Sequence, residues 1–135
     1  EGFLKITGRV KDIFKTTKGK YIAPTPIEMK LSENNYIEQV CVVGNGIPQP
    51  IALAVLSEDA KNSNDLKESI SQTLHNVNKT LDKHEVLNNI VLLKENWTVE
   101  NKFLTPTMKI KRNSIEKKYQ ENYTTWYEKD KVIEI

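Results

Sequence analysis

The sequence predicts an α+β domain: a basic N-terminal β-hairpin and a three-stranded sheet packed with helices. Three observations carry this expectation. Two short β-patterned runs flank Thr17-Lys18-Gly19. Apolar, largely β-branched runs recur at residues 37–43, 51–56 and 89–94. Leu66, Ile70, Leu74, Val77 and Leu81 recur at helical spacing, as do Ile115, Tyr119, Tyr123 and Trp126.

Taken in order, residues 3–7 alternate as a half-exposed strand does. Residues 12–16 and 20–23 follow as the arms of the hairpin, with Gly19 supplying the positive φ of a tight turn. Thr25-Pro26-Ile27-Glu28 predicts a helix start, with Thr25 as cap, Pro26 at the first helical position and Glu28 closing a capping box. That helix is expected to run to about Glu33, where Asn34-Asn35 ends it. Residues 37–43 and 51–56 read as an antiparallel pair joined by the long turn Gly44–Pro50. Asn64 or Asp65 caps the next helix, and residues 89–94 return as a buried strand. Strand, helix and strand in that order favour a right-handed crossover. The last helix is expected near Asn113, with Glu116 as its capping partner.

The chain has 135 residues, enough for one domain with a single core. Its hydrophobic fraction of 38% and charged fraction of 28% are those of a globular protein, too rich in Ile, Leu and Val for disorder. A net charge of +2 argues against a dedicated nucleic-acid binder. No apolar run approaches the roughly 20 residues that span a bilayer. Cys41, the single cysteine, cannot form an internal disulfide and reads as a buried core residue in a reducing compartment. The chain starts Glu1-Gly2-Phe3, without initiator methionine or signal peptide, and reads as cut from a longer protein.

Several chemistries are set aside. Gly19-Lys20 invites a phosphate-loop reading, but Phe14 stands where the first glycine belongs and Tyr21 where Ser or Thr is required. No G-x-S-x-G elbow and no zinc-ligand spacing occur, so no metal is expected on this domain. His75 and His84 lack the spacing of a helical metal pair and read as surface or structural residues. The sequons at Asn78, Asn96 and Asn122 read as accidental. A complete active site on this chain alone is not expected.

Two stretches carry more. Residues 6–28, Ile-Thr-Gly-Arg-Val-Lys-Asp through Pro-Ile-Glu, hold Gly8, Arg9, Lys11, Asp12, Gly19, Pro24, Ile27 and Glu28. Residues 104–112, Leu-Thr-Pro-Thr-Met-Lys-Ile-Lys-Arg, crowd Lys109, Lys111 and Arg112 before a helix. The first resembles the motif that opens the C-terminal domain of adenylate-forming enzymes, the superfamily of acyl-CoA synthetases, peptide-synthetase adenylation domains and luciferases. The second resembles that superfamily's last motif, in the form found in long-chain fatty acid–CoA ligases. The resemblance covers nearly the whole chain. Met108 stands where many members have glycine, and Lys11 where others have aspartate.

The resemblance implies a single C-terminal lid domain spanning residues 1–135, with the large N-terminal domain absent. It implies an AMP-forming acid–thiol ligase that converts a fatty acid and ATP to acyl-adenylate, then transfers the acyl group to coenzyme A. Lys109 matches the catalytic lysine, whose compact charge suits a transition state in which an anion approaches a polyanion. Without the family it would read as surface charge. Arg9 matches a nucleotide-binding arginine, with a structural ion pair to Asp12 as the alternative. Lys11 matches the hinge about which the domain turns between the two steps. Lys18 and Gly19 match the hairpin that faces coenzyme A in the second step, and Gly19 is equally readable as a plain turn. Lys111 and Arg112 either raise the local potential or hold the loop. Expected substrates are ATP with Mg2+, fatty acid and coenzyme A, none held tightly by this domain alone. The expected partner is the chain's own N-terminal domain, with no nucleic acid. The expected location is the cytoplasm, with peripheral membrane contact through the missing domain left open. Competing expectations are the lid of another acyl or aryl acid adenylating enzyme, and a non-enzymatic module binding polyanions through the Lys15–Lys20 and Lys109–Arg112 patches.

Overall fold

The computed structural model describes residues 13–61, 63–93, 96–107, 109–127, 129 and 132–134. The strand expected at residues 3–7 lies outside them, as do Gly8, Arg9, Lys11 and Asp12.

A two-stranded ribbon comes first: β1 (Phe14–Lys15) pairs antiparallel with β2 (Tyr21–Ile22), Phe14 opposite Ile22. Helix α1 (Pro24–Leu31) follows. A four-stranded sheet is then built from β3 (Ile37–Val43), β4 (Ile51–Leu56), β5 (Ile90–Leu93) and β6 (Val132–Glu134). Its order is β3-β4-β5-β6. The first pair is antiparallel; β4 with β5 and β5 with β6 are parallel. Between β4 and β5 lie the short α2 (Glu58–Lys61) and the long α3 (Leu66–Asn78), and after β5 come α4 (Arg112–Tyr119) and α5 (Tyr123–Tyr127).

Both sheet faces are covered, so the central strands read as continuous apolar runs instead of alternating ones. On one face Val40, Val42, Ala52, Ala54, Ile90 and Leu92 pack with Ile27 and Leu31 of α1 and Ile70, Leu74 and Val77 of α3. On the other, Cys41, Val43, Leu53, Val91 and Ile133 pack with Trp97, Phe103, Ile115, Tyr119, Tyr123 and Trp126. The Tyr119 ring tilts against both Phe103 and Trp126, centroids 6.3 and 6.0 Å away. Cys41 is fully buried, as its apolar setting predicts.

The expected hairpin and the sheet's first three strands are present, and the sheet holds one strand more. The segment β6 is only three residues long, too short to stand out as a pattern. Its place is prepared by two asparagines at the start of β5. Asn89 Nδ2 donates to the Trp126 carbonyl and Asn88 Nδ2 to that of Tyr127, both at 2.7 Å. These bonds satisfy carbonyls at the end of α5 and aim the chain back along β5. The expected last helix is interrupted by a 3-10 turn at Gln120–Asn122, yet its inward stripe stays buried across the break.

Three expected caps differ. Ala23, not Thr25, precedes α1, which starts at Pro24 without a side-chain cap. Pro24 and Pro26 preset the helical φ, and the Glu28 carboxylate is engaged elsewhere. Lys111 precedes α4, and Glu116 makes no capping bond there. Asp65 precedes α3 as expected, but its carboxylate accepts from the Ser63 and Tyr36 hydroxyls instead of capping. Among the described residues, no helix is long and apolar enough to cross a membrane.

Candidate functional site

Lys109 sits on a hairpin that closes on itself. Leu104 and Ile110 form an antiparallel bridge. Below it, the Lys111 N–H donates to the Phe103 carbonyl at 2.8 Å. Above it, the Thr105 N–H donates to the Lys109 carbonyl at 2.7 Å, and the Lys109 N–H returns to Thr105 Oγ1 at 3.1 Å. Buried Phe103 and Leu104 root the incoming arm in the aromatic half of the core. Lys109 and Lys111 alternate with Ile110, so both point outward and are exposed. No described residue bonds to the Lys109 ammonium. Met108 lies outside the described residues.

Arg112, the first residue of α4, is turned inward. Its Nη1 and Nη2 donate to Glu28 Oε2 and Oε1 at 2.8 and 3.1 Å. Nη1 also lies 3.0 Å from the Val42 carbonyl and 3.1 Å from Cys41 Sγ. The Val42 N–H donates to Glu28 Oε2 at 2.7 Å. Glu28 and Arg112 therefore occupy both backbone groups that Val42 presents on the open edge of β3. Their side chains are only 10% and 12% exposed. One turn along α4, burial raises the pKa of Glu116, and Arg112 opposes that shift. Burial, then the charge of Glu116, raises that of the Tyr123 hydroxyl.

The second hairpin is β1–β2. Gly19 takes φ +82°, as the tight turn requires, and its N–H donates to the Thr16 carbonyl at 3.0 Å. The Thr17 N–H reaches the Ile47 carbonyl at 3.1 Å, and Lys18 Nζ donates to Gln49 Oε1 at 3.1 Å. Gln49 Nε2 in turn donates to the Val86 carbonyl at 2.8 Å. Phe14 lies over Gly44, where a Cβ would stand 2.7 Å from Phe14 Cε1 and 3.0 Å from Pro50 Cα. The two hairpins thus rest on the same strand end, one at Val42 and the other at Gly44.

Sequence reasoning missed Gly44 and Gln49, and it gave Glu28 the wrong partner. Only the opposite charges of Glu28 and Arg112, at the far ends of the two motifs, hinted at their meeting. An open groove of about 280 Å³ lies between α1, β3 and the Lys109 hairpin. Its charged members are Glu28 and Glu38, so it is no cradle for phosphate. Asp82, His84 and Glu85 bring ligand atoms within 4.8 Å of one another, so His84 has two acidic neighbours. Asp82 and Glu85 already form the capping box of the 3-10 turn at Lys83–Glu85. The described residues can therefore present positive charge on a braced loop, and they offer no nucleophile–base pair of their own.

The family model for the AMP-binding enzyme C-terminal domain matches residues 11–131. This chain belongs to that family. Among similar curated proteins, fatty acyl-CoA synthetase B of Dictyostelium discoideum is 30% identical over 96% of this chain. Long-chain-fatty-acid–CoA ligase 5 of Mus musculus is 33% identical over 94%. The chain spans 22% of the length of each. The adenylation domain of a carboxylate reductase from Mycobacterium chelonae shares the fold, with a TM-score of 0.77 at 24% identity over 90% of this chain and 20% of that one. A carboxylic acid reductase A domain from Segniliparus rugosus, in complex with AMP, superposes with a TM-score of 0.74 at 20% identity, over 89% of this chain and 20% of its own. As an AMP-binding enzyme C-terminal domain, the chain is part of the adenylate-forming superfamily, with long-chain acyl-CoA ligases among its relatives. The matched stretch contains Lys11, Lys18, Gly19, Lys109, Lys111 and Arg112 and begins after Arg9.

Proposed function

We propose that this chain is the lid of an AMP-forming long-chain fatty acid–CoA ligase, working against a large N-terminal domain of the same protein. The supporting observation is the exposed Lys109 ammonium on a loop braced at its base by backbone bonds. In the first reaction a fatty acid carboxylate attacks the α-phosphorus of ATP, supplied as its magnesium complex, and pyrophosphate leaves. Lys109 offsets the negative charge that gathers on the carboxylate and phosphate oxygens. Arg9 contributes hydrogen bonds to the nucleotide. The lid then turns about Lys11, and the Lys18-Gly19 hairpin replaces Lys109. The coenzyme A thiolate attacks the acyl carbonyl, and AMP leaves. Gly19 carries no side chain, so its backbone can approach the pantetheine arm closely. The relatives of 30 and 33% identity favour a long-chain acid over an aryl acid.

Lys109→Ala in the full-length enzyme tests this reading. Pyrophosphate release from ATP and fatty acid should fall roughly 10²–10³-fold, the usual cost of removing one preorganised charge-stabilising group. Preformed acyl-adenylate and coenzyme A should still give acyl-CoA at near the normal rate. Lys111→Ala, which removes an equal charge nearby, should cost far less. Equal loss of both half-reactions in a protein that melts normally would overturn the assignment.

A further inference from the structure

Arg112 lies three positions beyond Lys109, and Glu28 stands 84 residues away in sequence. Their contact joins the first turn of α4 to the middle of α1 across the open edge of β3. The incoming arm of the Lys109 hairpin is held by Phe103 and Leu104 in the core. The outgoing arm, Lys109 to Lys111, is exposed or half-exposed and is tied by backbone bonds only to the incoming arm, and the first side chain after it that reaches another element through polar bonds is Arg112. A planar guanidinium can meet both carboxylate oxygens and the Val42 carbonyl at once, and an ammonium cannot reproduce that fork. Because Glu28 neutralises it in a largely buried pair, Arg112 adds little field at Lys109.

We propose that Arg112 and Glu28 form a latch that positions the Lys109 hairpin, so that Arg112 acts through geometry and not as a second charge on substrate. The functional half of this proposal rests on the reading of Lys109 given above. The structural half stands without it. Positioning residues of this kind matter because small misplacement of a charge-stabilising group lowers rate steeply.

Two variants of the full-length enzyme separate the alternatives. Arg112→Lys keeps the positive charge and loses the fork. Glu28→Gln keeps shape and some hydrogen bonding, and leaves Arg112 unneutralised. If Arg112 merely supplied charge, the first variant would behave as wild type and the second would be unimpaired or faster. The latch predicts that both slow pyrophosphate release by about tenfold or more, with KM for ATP nearly unchanged. Coenzyme A transfer from preformed acyl-adenylate should be spared. Hydrogen exchange at the Thr105, Lys109 and Lys111 amides, measured without substrate, should quicken about tenfold in both variants, while the amides of residues 14–22 stay protected. Unchanged exchange at residues 105–111 in either variant overturns the latch. Quickened exchange with a wild-type pyrophosphate rate overturns its positioning role. An enzyme with no ATP-dependent pyrophosphate release at all refutes the ligase reading, and exchange still decides the latch.

Discussion

The two hairpins of this domain reach solvent in the same way and are held at the base by opposite means. The Lys18 hairpin is seated by shape: Phe14 fills the space that a side chain on Gly44 would occupy, and Thr17 bonds to the neighbouring loop. The Lys109 hairpin is seated by charge: Arg112 closes on Glu28 and on the backbone of Val42. Only Val43 separates the two anchor points, Val42 in β3 and Gly44 just past its end. Under the lid reading, a domain that presents one hairpin and then the other needs both bases firm. Both are seated at one buried strand end. The difference in seating means that each can be loosened without the other.

Three substitutions can break or sharpen this contrast. Glu28→Ala should have the largest effect, about 3–5 kcal/mol of stability in denaturant unfolding, because it strands the Arg112 charge in a largely buried site. Residues 103–111 should lose exchange protection before residues 14–22. Gly44→Ala should cost about 1–3 kcal/mol, since the new Cβ would stand within 3.0 Å of Phe14 and of the Pro50 backbone. Here the order should reverse, with residues 14–22 loosening first. If both variants loosen both hairpins equally, the independence of the two seats is wrong. Gly19→Ala should be mildest, about 1–2 kcal/mol, from backbone strain at φ +82° alone. Its Cβ would meet nothing nearer than Lys15 Cε at 3.9 Å, so the base of the hairpin should keep its protection. Under the lid reading, Gly19→Ala should slow coenzyme A transfer more than pyrophosphate release.

Local chemistry alone determined much of this molecule. Gly19 announced a turn with positive φ, and the structure places it there. The bounds of β3 and β4 match the expected runs residue for residue; β4 is buried on both faces and carries no polar interruption, while in β3 Glu38 and Gln39 fall where the strand is less buried. The stripe Ile115, Tyr119, Tyr123 and Trp126 is buried even though the helix carrying it breaks. The two motifs resembling the adenylate-forming superfamily were also readable as they stand, and the family match over residues 11–131 agrees with them. Arg9 and Lys11 lie outside the described residues, so their roles rest on that resemblance.

What tertiary structure decided was the partner of each polar group. Glu28 is well spaced to close a capping box, a bond worth little in water. It turns instead to a guanidinium and a strand N–H in a largely buried site, where charge-assisted bonds are stronger. Arg112, one of three cations within four residues of sequence, is the one that goes inside. Gly44 reads as one more loop glycine until Phe14 arrives from thirty positions upstream. The three residues of β6 carry too little pattern to be seen, and they become a strand because β5 offers an open edge and Asn88 and Asn89 steer the chain to it. Periodicity and turn chemistry act within a few residues and are written in order along the chain. The pairing of distant polar groups is settled by which of them desolvation leaves facing one another.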